Sequence, residues 1–169
     1  MMKNYRVVDN FLSSVEHRYI VSNTLKNSYS FNLYLNESVS GVPKSKSDGI
    51  YFTHTFLEED DINSPFFEYL YPIIEKINPK KLFRVRLNLY PKTFFIKKHN
   101  WHIDFNFSHK GFIYYLNTNN GSTDIKNNFL HHKIKSVENR ALFFDSSKKH
   151  RSTTCTDKDY RSNIIINYI

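Results

Sequence analysis

The segment Trp101-His102-Ile103-Asp104-Phe105 sets an imidazole and a carboxylate two residues apart. In extended chain, alternation puts His102 and Asp104 on one face, two strand rises or ~7 Å apart along the backbone, so both side chains can converge on one ion. A third donor must come from elsewhere. His150 lies 46 residues beyond Asp104, after the apolar run Ala141-Leu142-Phe143-Phe144-Asp145 and a short loop, which is room for an excursion and return. Two imidazoles and one carboxylate on one face of an ion leave positions open, the facial arrangement used for iron(II) and oxygen chemistry. Taken by itself, the His-x-Asp pair reads more often as two surface residues of a strand.

The other histidines make weaker candidates. The odd offset of His99 from His102 places it on the opposite strand face. His131 and His132 lie in a polar segment and read as solvated. His17 belongs to an early helix and His54 to an early strand, neither with acidic residues at ligand spacing, and His109 reads as a surface residue before Gly111.

Arg161, eleven residues after His150, opens the run Arg161-Ser162-Asn163-Ile164-Ile165-Ile166-Asn167-Tyr168. An arginine on a buried strand face needs an anion, and its planar fork suits a bidentate carboxylate. Alone, it reads more readily as an edge arginine paired to a surface acid. Together with the three metal-type donors it points to a carboxylate-bearing co-substrate.

Composition narrows the alternatives. At 169 residues the chain suits one domain spanning 1–169, with a core that needs no disulfide staples. Cys155 is the single cysteine, so zinc knuckles and CxxC redox chemistry are excluded, and a reducing, cytoplasmic setting is expected. Four glycines permit neither a GxGxxG nor a GxxxxGK[ST] phosphate cradle. No apolar run is long enough for a membrane-spanning helix, so no membrane partner is expected. The formal charge of +8 fits acidic or nucleic-acid partners, or merely scattered lysines. Twelve tyrosines and fifteen phenylalanines favour a β-rich core.

The elements that must position these residues follow from periodicity. Val7–Leu12 reads as an extended opening. Ser13-Ser14-Val15-Glu16 matches a capping box for a helix running to about Lys26. Residues 36–49 read as a mobile loop and candidate lid before a strand at 50–56. Ser64-Pro65 begins a second helical stripe through Ile77, which Pro72 should kink or shorten. In Phe83–Tyr90 the period becomes two: Val85, Leu87 and Leu89 share one face, and Arg86, Asn88 and Tyr90 the other. Further strands are expected at 101–105, 112–117, 141–145 and 161–168. Early helices followed by strands predict a mainly β, α+β domain, with helices packed on one face of a sandwich such as a jelly roll. A ligand site open to water should contribute little to stability.

In this order the residues match a known family. From about 82 to 169 the chain resembles the Fe(II)/2-oxoglutarate oxygenases of the prolyl-4-hydroxylase-like branch, including short virus-encoded members. The matching pieces are Leu89-Tyr90-Pro91, His102-Ile103-Asp104, Ile113-Tyr114-Tyr115-Leu116-Asn117, Gly121, Asn139-Arg140-Ala141-Leu142-Phe143-Phe144-Asp145, His150 and Arg161. The resemblance implies a double-stranded β-helix (jelly-roll) core with supporting N-terminal helices. It implies iron held by His102, Asp104 and His150, and the distal carboxylate of 2-oxoglutarate held by Arg161. It further implies that Tyr90 and Tyr115 assist co-substrate binding, that O2 is consumed and that ascorbate is compatible as an accessory reductant. Because Tyr114 and Tyr115 point to opposite faces, only one can reach the cavity. Ile165 stands where the branch often has a small polar residue, and Asn163, on the face of Arg161, is the candidate substitute. Ser122-Thr123 stands where a second glycine is frequent.

The implied activity is C–H hydroxylation, with a peptidyl proline as leading substrate. Another side chain, a small molecule or a nucleobase are rivals, and a peptide or protein is the favoured partner. Two readings from other classes remain: a non-catalytic basic binding protein on a relic fold, and a cupin-like metal isomerase. The complete donor set argues against the first. Arg161 argues against the second.

Overall fold

The computed structural model describes residues 5–26, 31–36, 49–127 and 130–169. Its elements run β1 (Tyr5–Val8), α1 (Ser14–Thr24), β2 (Tyr34–Asn36), β3 (Tyr51–Glu58), β4 (Asp61–Ile62), a 3-10 segment (Pro65–Leu70), α2 (Tyr71–Ile77), β5 (Leu82–Pro91), β6 (Lys110–Tyr115), β7 (Ser122–Asn127), β8 (Leu130–Lys135), β9 (Ala141–Asp145), β10 (His150–Ser152) and β11 (Tyr160–Tyr168). Among these residues no helix is long and apolar enough to cross a membrane.

The strands form two sheets. The larger has the order β1-β9-β6-β11-β5-β3-β2, with β4 on β3, and the smaller runs β10-β7-β8. Every pairing is antiparallel. Residues 98–102 lie alongside β10 through isolated bridges from Lys98 to Thr153 and from His102 to His150, in the place of a fourth strand of the smaller sheet. The regular strand expected at 101–105 is therefore absent. Its alternation survives: Ile103 faces solvent while the Asp104 side chain is buried.

Two apolar layers flank the larger sheet. On one side Val85, Leu87, Phe112, Tyr114, Ile164 and Ile166 meet Ile20 of α1, Ile73 of α2, and Phe67 and Leu70 of the 3-10 segment. On the other, Ile113, Tyr115, Leu142, Phe144 and Ile165 meet Ile125 and Ile134 of the smaller sheet. The two sides are the two faces of alternating strands, so Tyr114 and Tyr115 part as expected. The outcome is the mainly β jelly roll backed by helices.

The N-terminal reading needs small corrections. Ser13 does cap α1, its hydroxyl accepting from the Glu16 amide while the Glu16 carboxylate accepts from the Ser13 amide. The opening strand ends at Val8, because Asn10 turns with φ 50° and sends Phe11 and Leu12 into the core. Pro72 sits in the first turn of α2, where its missing N–H costs nothing, so it starts a new helix instead of kinking one. Strands β7 and β8 lie outside the expected set: Ser122-Thr123-Asp124 and His131-His132-Lys133 are polar, although Ser122, Thr123 and Asp124 are buried, and Ile125 and Ile134 are the apolar residues that join the core. Residues 37–48, most of the candidate lid, lie outside those described.

Candidate metal and co-substrate site

The site is built on the central pair β5 and β11. Their register matches Arg84 with Asn167, Arg86 with Ile165, Asn88 with Asn163, and Tyr90 with Arg161. Those positions alternate with the apolar residues packed against the helices, so this polar series faces the interior between the sheets. A cavity there is lined by Tyr51, Arg84, Arg86, Tyr90, His102, Asp104, His150 and Asn163, among others.

At one end, His102, Asp104 and His150 offer ligand atoms that all lie within 4.8 Å of one another. The rings of His102 and His150 stand 4.5 Å apart across their bridge. Each Nδ1 lies beside the carbonyl two residues earlier: Asn100 at 3.1 Å and Lys148 at 3.0 Å. The tautomer that donates there leaves both Nε2 lone pairs facing the site. Nε2 of His150 is buried without a hydrogen-bond partner. Asp104 lies 3.6 Å from it and 3.9 Å from Nε2 of His102, too far for good hydrogen bonds but suited to donors sharing an ion. Burial, then the neighbouring His150, pushes the His102 imidazole down to about 4, so it is a neutral donor at pH 7. Burial alone would raise the Asp104 carboxyl. His150, Arg84 and His102, with a hydrogen bond from Ser146, outweigh it and hold the group below the usual carboxylate range. Two imidazoles and a carboxylate, with no thiolate, fit iron(II) or manganese(II).

Asp104 is far from the water-facing ligand expected. Its side chain is only 3% exposed. Arg84 donates to Oδ1 at 2.7 Å, and Ser146 and Asn167 donate to Oδ2 at 2.5 and 2.8 Å. Asn167 also accepts from Nε of Arg84 at 3.2 Å. The carboxylate is a structural counter-ion as well as a candidate ligand, so its contribution to stability is large.

Arg161 anchors the other end. It is fully buried, and its hydrogen bonds go only to neutral oxygens: Nε to Ser136 Oγ at 2.7 Å, Nη1 to the Thr153 carbonyl at 3.3 Å and Nη2 to Thr123 Oγ1 at 3.0 Å. Among the described residues no carboxylate forms an ion pair with it. Its guanidinium carbon lies 4.9 Å from the Tyr90 ring centre and 5.8 Å from that of Tyr115. The Tyr90 hydroxyl donates to Ser152 at 3.0 Å and the Tyr115 hydroxyl to Thr123 at 2.9 Å. Burial raises both phenols, which keeps them protonated donors. Nδ2 of Asn163 is buried and unpartnered, a spare donor. A Cβ on Gly121 would lie 2.6 Å from Cδ of Arg161 and 2.8 Å from the Thr154 carbonyl, so this glycine makes room for the arginine. Thr123, just after it, holds both Arg161 and Tyr115, which gives the unusual Ser122-Thr123 a concrete role.

Of the seven residues singled out in the sequence, Tyr90, His102, Asp104, His150 and Asn163 line the cavity, and Arg161 and Tyr115 are grouped with Tyr90 in its wall. Arg84, Ser146, Asn167, Thr123 and Ser136 went unrecognised. For Arg84 and Asn167 the signal existed, since both continue the polar alternation of β5 and β11. The hydroxyls came from loops and the smaller sheet, where no periodicity marks them. Among the rival histidines, His99 is buried, with ring nitrogens beside the carbonyls of Ser152 and Gly49. His17 bonds Tyr114 and Glu138, and His54 bonds Asn32 and Ser64. His109, expected at the surface, is buried beneath Phe105 and Phe107.

No protein-family profile matches the sequence, and no curated protein resembles it. Solved structures share its fold. A prolyl hydroxylase from Trichoplax adhaerens, in complex with a hypoxia-inducible-factor peptide fragment, superposes with a TM-score of 0.73 at 16% identity, covering 98% of this chain and 83% of its own. A 2OG-Fe(II) oxygenase-family oxidoreductase from Burkholderia pseudomallei gives 0.76 at 8% identity, covering 98% and 84%. The viral collagen prolyl hydroxylase of Paramecium bursaria Chlorella virus-1, in its 2-oxoglutarate complex, gives 0.63 at 14% identity, covering 99% and 97%. The fold is thus that of the 2-oxoglutarate-Fe(II) oxygenases.

Proposed function

We propose that this protein is an Fe(II)- and 2-oxoglutarate-dependent oxygenase that hydroxylates a C–H bond of a peptide or protein, with a prolyl residue the favoured target. The observation that carries the reading is Arg161: a fully buried guanidinium with no anionic partner among the described residues, set against Tyr90 in the wall of the cavity that holds a two-histidine, one-carboxylate cluster. A buried cation of this kind calls for a carboxylate from outside the chain.

His102, Asp104 and His150 would hold the iron by one face. Arg161 would take the distal carboxylate of 2-oxoglutarate as a fork, with Thr123 and Ser136 fixing the guanidinium. Tyr90, Tyr115 and Asn163 would supply neutral donors along the co-substrate. When bound, iron, 2-oxoglutarate and O2 supply the oxidising power, with succinate and carbon dioxide as co-products. The protein's own work is to present the ligands, orient the co-substrate and exclude water. Ascorbate as an accessory reductant is compatible with this reading, and the lone, buried Cys155 fits a reducing compartment such as the cytoplasm. Peptide preference draws on the fold neighbours, two of which are described as a prolyl hydroxylase with a bound peptide and a collagen prolyl hydroxylase.

Anaerobic calorimetry of Mn(II)-loaded protein with 2-oxoglutarate tests the co-substrate. Aerobic succinate release with Fe(II), followed by mass spectrometry for one added oxygen across peptides, nucleic acids and metabolites, tests the reaction. Absence of 2-oxoglutarate binding would return the isomerase and relic-binding readings. Oxidation of a nucleobase or free metabolite, with peptides untouched, would replace the peptide assignment.

A further inference from the structure

The cavity wall carries a guanidinium to which the proposed metal and co-substrate assignments give no role. Arg86 lines the same interior as His102, Asp104 and His150. It lies on β5 between Arg84 and Asn88, with Thr55 of β3 on one side and Ile165 of β11 on the other. Its side chain is half-buried. Nη2 donates to Glu58 at 2.7 Å, and Glu58 is the more exposed partner, at the end of β3. Nε of Arg86 is buried with no hydrogen-bond partner. A donor stripped of water and left unpaired is costly, and the cost is recovered when an acceptor arrives.

Charge points to the kind of acceptor. Arg84, Arg86 and Asp104 line the cavity, Arg161 lies against the ring of Tyr90 in its wall, and Glu58 pairs with Arg86, which makes three guanidiniums against two carboxylates in and around it. A divalent metal and a doubly charged 2-oxoglutarate cancel one another, so the loaded site keeps one positive charge in excess. That excess does not fall at Arg161, which the co-substrate neutralises, nor at Arg84, which Asp104 holds at 2.7 Å. It falls at Arg86, whose own partner is shared with solvent. In a low-dielectric interior a net charge of this kind selects its opposite.

We infer that Arg86 is a specificity residue that receives a carboxylate of the primary substrate, so that the oxidised C–H belongs to a group flanked by an acidic function. This rests on the oxygenase reading above and narrows its substrate. Glu58 then competes with the substrate for the arginine, holding Nη2 until a better-buried carboxylate takes the free edge.

The test uses the full chain loaded with Mn(II) and saturating 2-oxoglutarate without oxygen. Mn(II) is paramagnetic, so small molecules that dwell near it show broadened proton resonances. The probes are matched pairs: N-acetylproline against N-acetylprolinamide, for a free acid, and N-acetylglutamate methylamide against N-acetylglutamine methylamide, for an acidic side chain in a peptide. Each acid should broaden at concentrations about tenfold below its amide, the worth of one charge-assisted hydrogen bond. Arg86→Gln should erase that preference while leaving 2-oxoglutarate affinity unchanged. Glu58→Gln should strengthen acid binding by about threefold, as removal of a competitor for a half-exposed pair. The pair with the larger acid preference identifies the source of the carboxylate. Equal broadening of acid and amide in the wild type, or a preference that survives Arg86→Gln, overturns the inference. Failure of the wild type to bind Mn(II) or 2-oxoglutarate overturns the oxygenase reading itself, and this inference with it.

Discussion

Arg84 and Arg161 are both buried arginines on the polar side of the same strand pair, and they are neutralised in opposite ways. Arg84 meets Asp104 at 2.7 Å and Asn167 at 3.2 Å, so its charge is balanced within the chain. Arg161 meets two hydroxyls and a carbonyl. Dipoles of that kind fix a guanidinium in space without cancelling its charge. On the proposed reading, one end offers a metal ion its donors, and the other offers an anion its counter-charge. A buried charge with its own counter-ion is architecture, and one positioned by neutral groups alone is a binding site.

Four substitutions would break or sharpen that contrast. Asp104→Ala should have the largest effect, because it removes a metal donor and strands Arg84. Breaking a buried pair from one side costs about 3–5 kcal/mol. For a chain of this size each kcal/mol is worth roughly 2–4 °C, so the metal-free variant should melt about ten degrees below wild type. Mn(II) binding by calorimetry should fall below detection. The double variant Arg84→Met, Asp104→Ala should recover much of the lost stability and none of the metal binding. A single variant that melts like wild type would show that Arg84 is balanced by something else.

Next comes Arg161→Ala. Loss of one partner of a buried bidentate pair should weaken 2-oxoglutarate binding by at least about a hundredfold in the same calorimetric titration. Mn(II) affinity without co-substrate should hold, since Arg161 is no ligand. Arg161→Lys should regain part of the loss, keeping the charge without the fork. Undiminished 2-oxoglutarate affinity in Arg161→Ala would end the contrast between the two arginines.

A smaller loss, about tenfold in 2-oxoglutarate affinity, is expected for Gly121→Ala. Its new Cβ would press on Cδ of Arg161 at 2.6 Å and on the Thr154 carbonyl at 2.8 Å, so both the arginine side chain and the local backbone must shift. Mn(II) binding serves as the internal control and should be unaltered. Smallest is Tyr115→Phe, which removes one hydroxyl from the Thr123 and Arg161 cluster. One hydrogen bond near 1 kcal/mol is about a fivefold change in 2-oxoglutarate affinity. A loss as great as that of Arg161→Ala would mean Tyr115 contacts the co-substrate's charge directly.

Much of this arrangement is legible in the sequence, because strand alternation is a local rule. Phe83–Tyr90 commits Val85, Leu87 and Leu89 to one face and Arg84, Arg86, Asn88 and Tyr90 to the other, and Arg161–Tyr168 likewise sets Ile164 and Ile166 opposite Arg161, Asn163 and Asn167, with Ile165 the apolar exception on the polar face. Ser13-Ser14-Val15-Glu16 fixes the start of α1 through bonds between neighbours in the chain. The spacing of His102 and Asp104 marks them as a pair even where the regular strand fails, since alternation needs only extended chain and not a full ladder.

What local rules do not carry is the identity of partners distant in sequence. That Arg84 rather than solvent balances Asp104 depends on β5 meeting residues 20 and 83 positions further on. That Thr123 and Ser136 hold Arg161 depends on the smaller sheet folding over β11. His109 is a local exception: it packs against Phe105 and Phe107, its near neighbours in the chain, in an irregular segment where no period marks the contact. By itself the sequence determined which side chains could bind a metal and a carboxylate, and which face of each strand they share, because those choices follow from residue chemistry and a period of two. Only the tertiary structure decided which buried charges find a partner inside the chain and which are left for a ligand, because burial and counter-ions arise where distant strands meet.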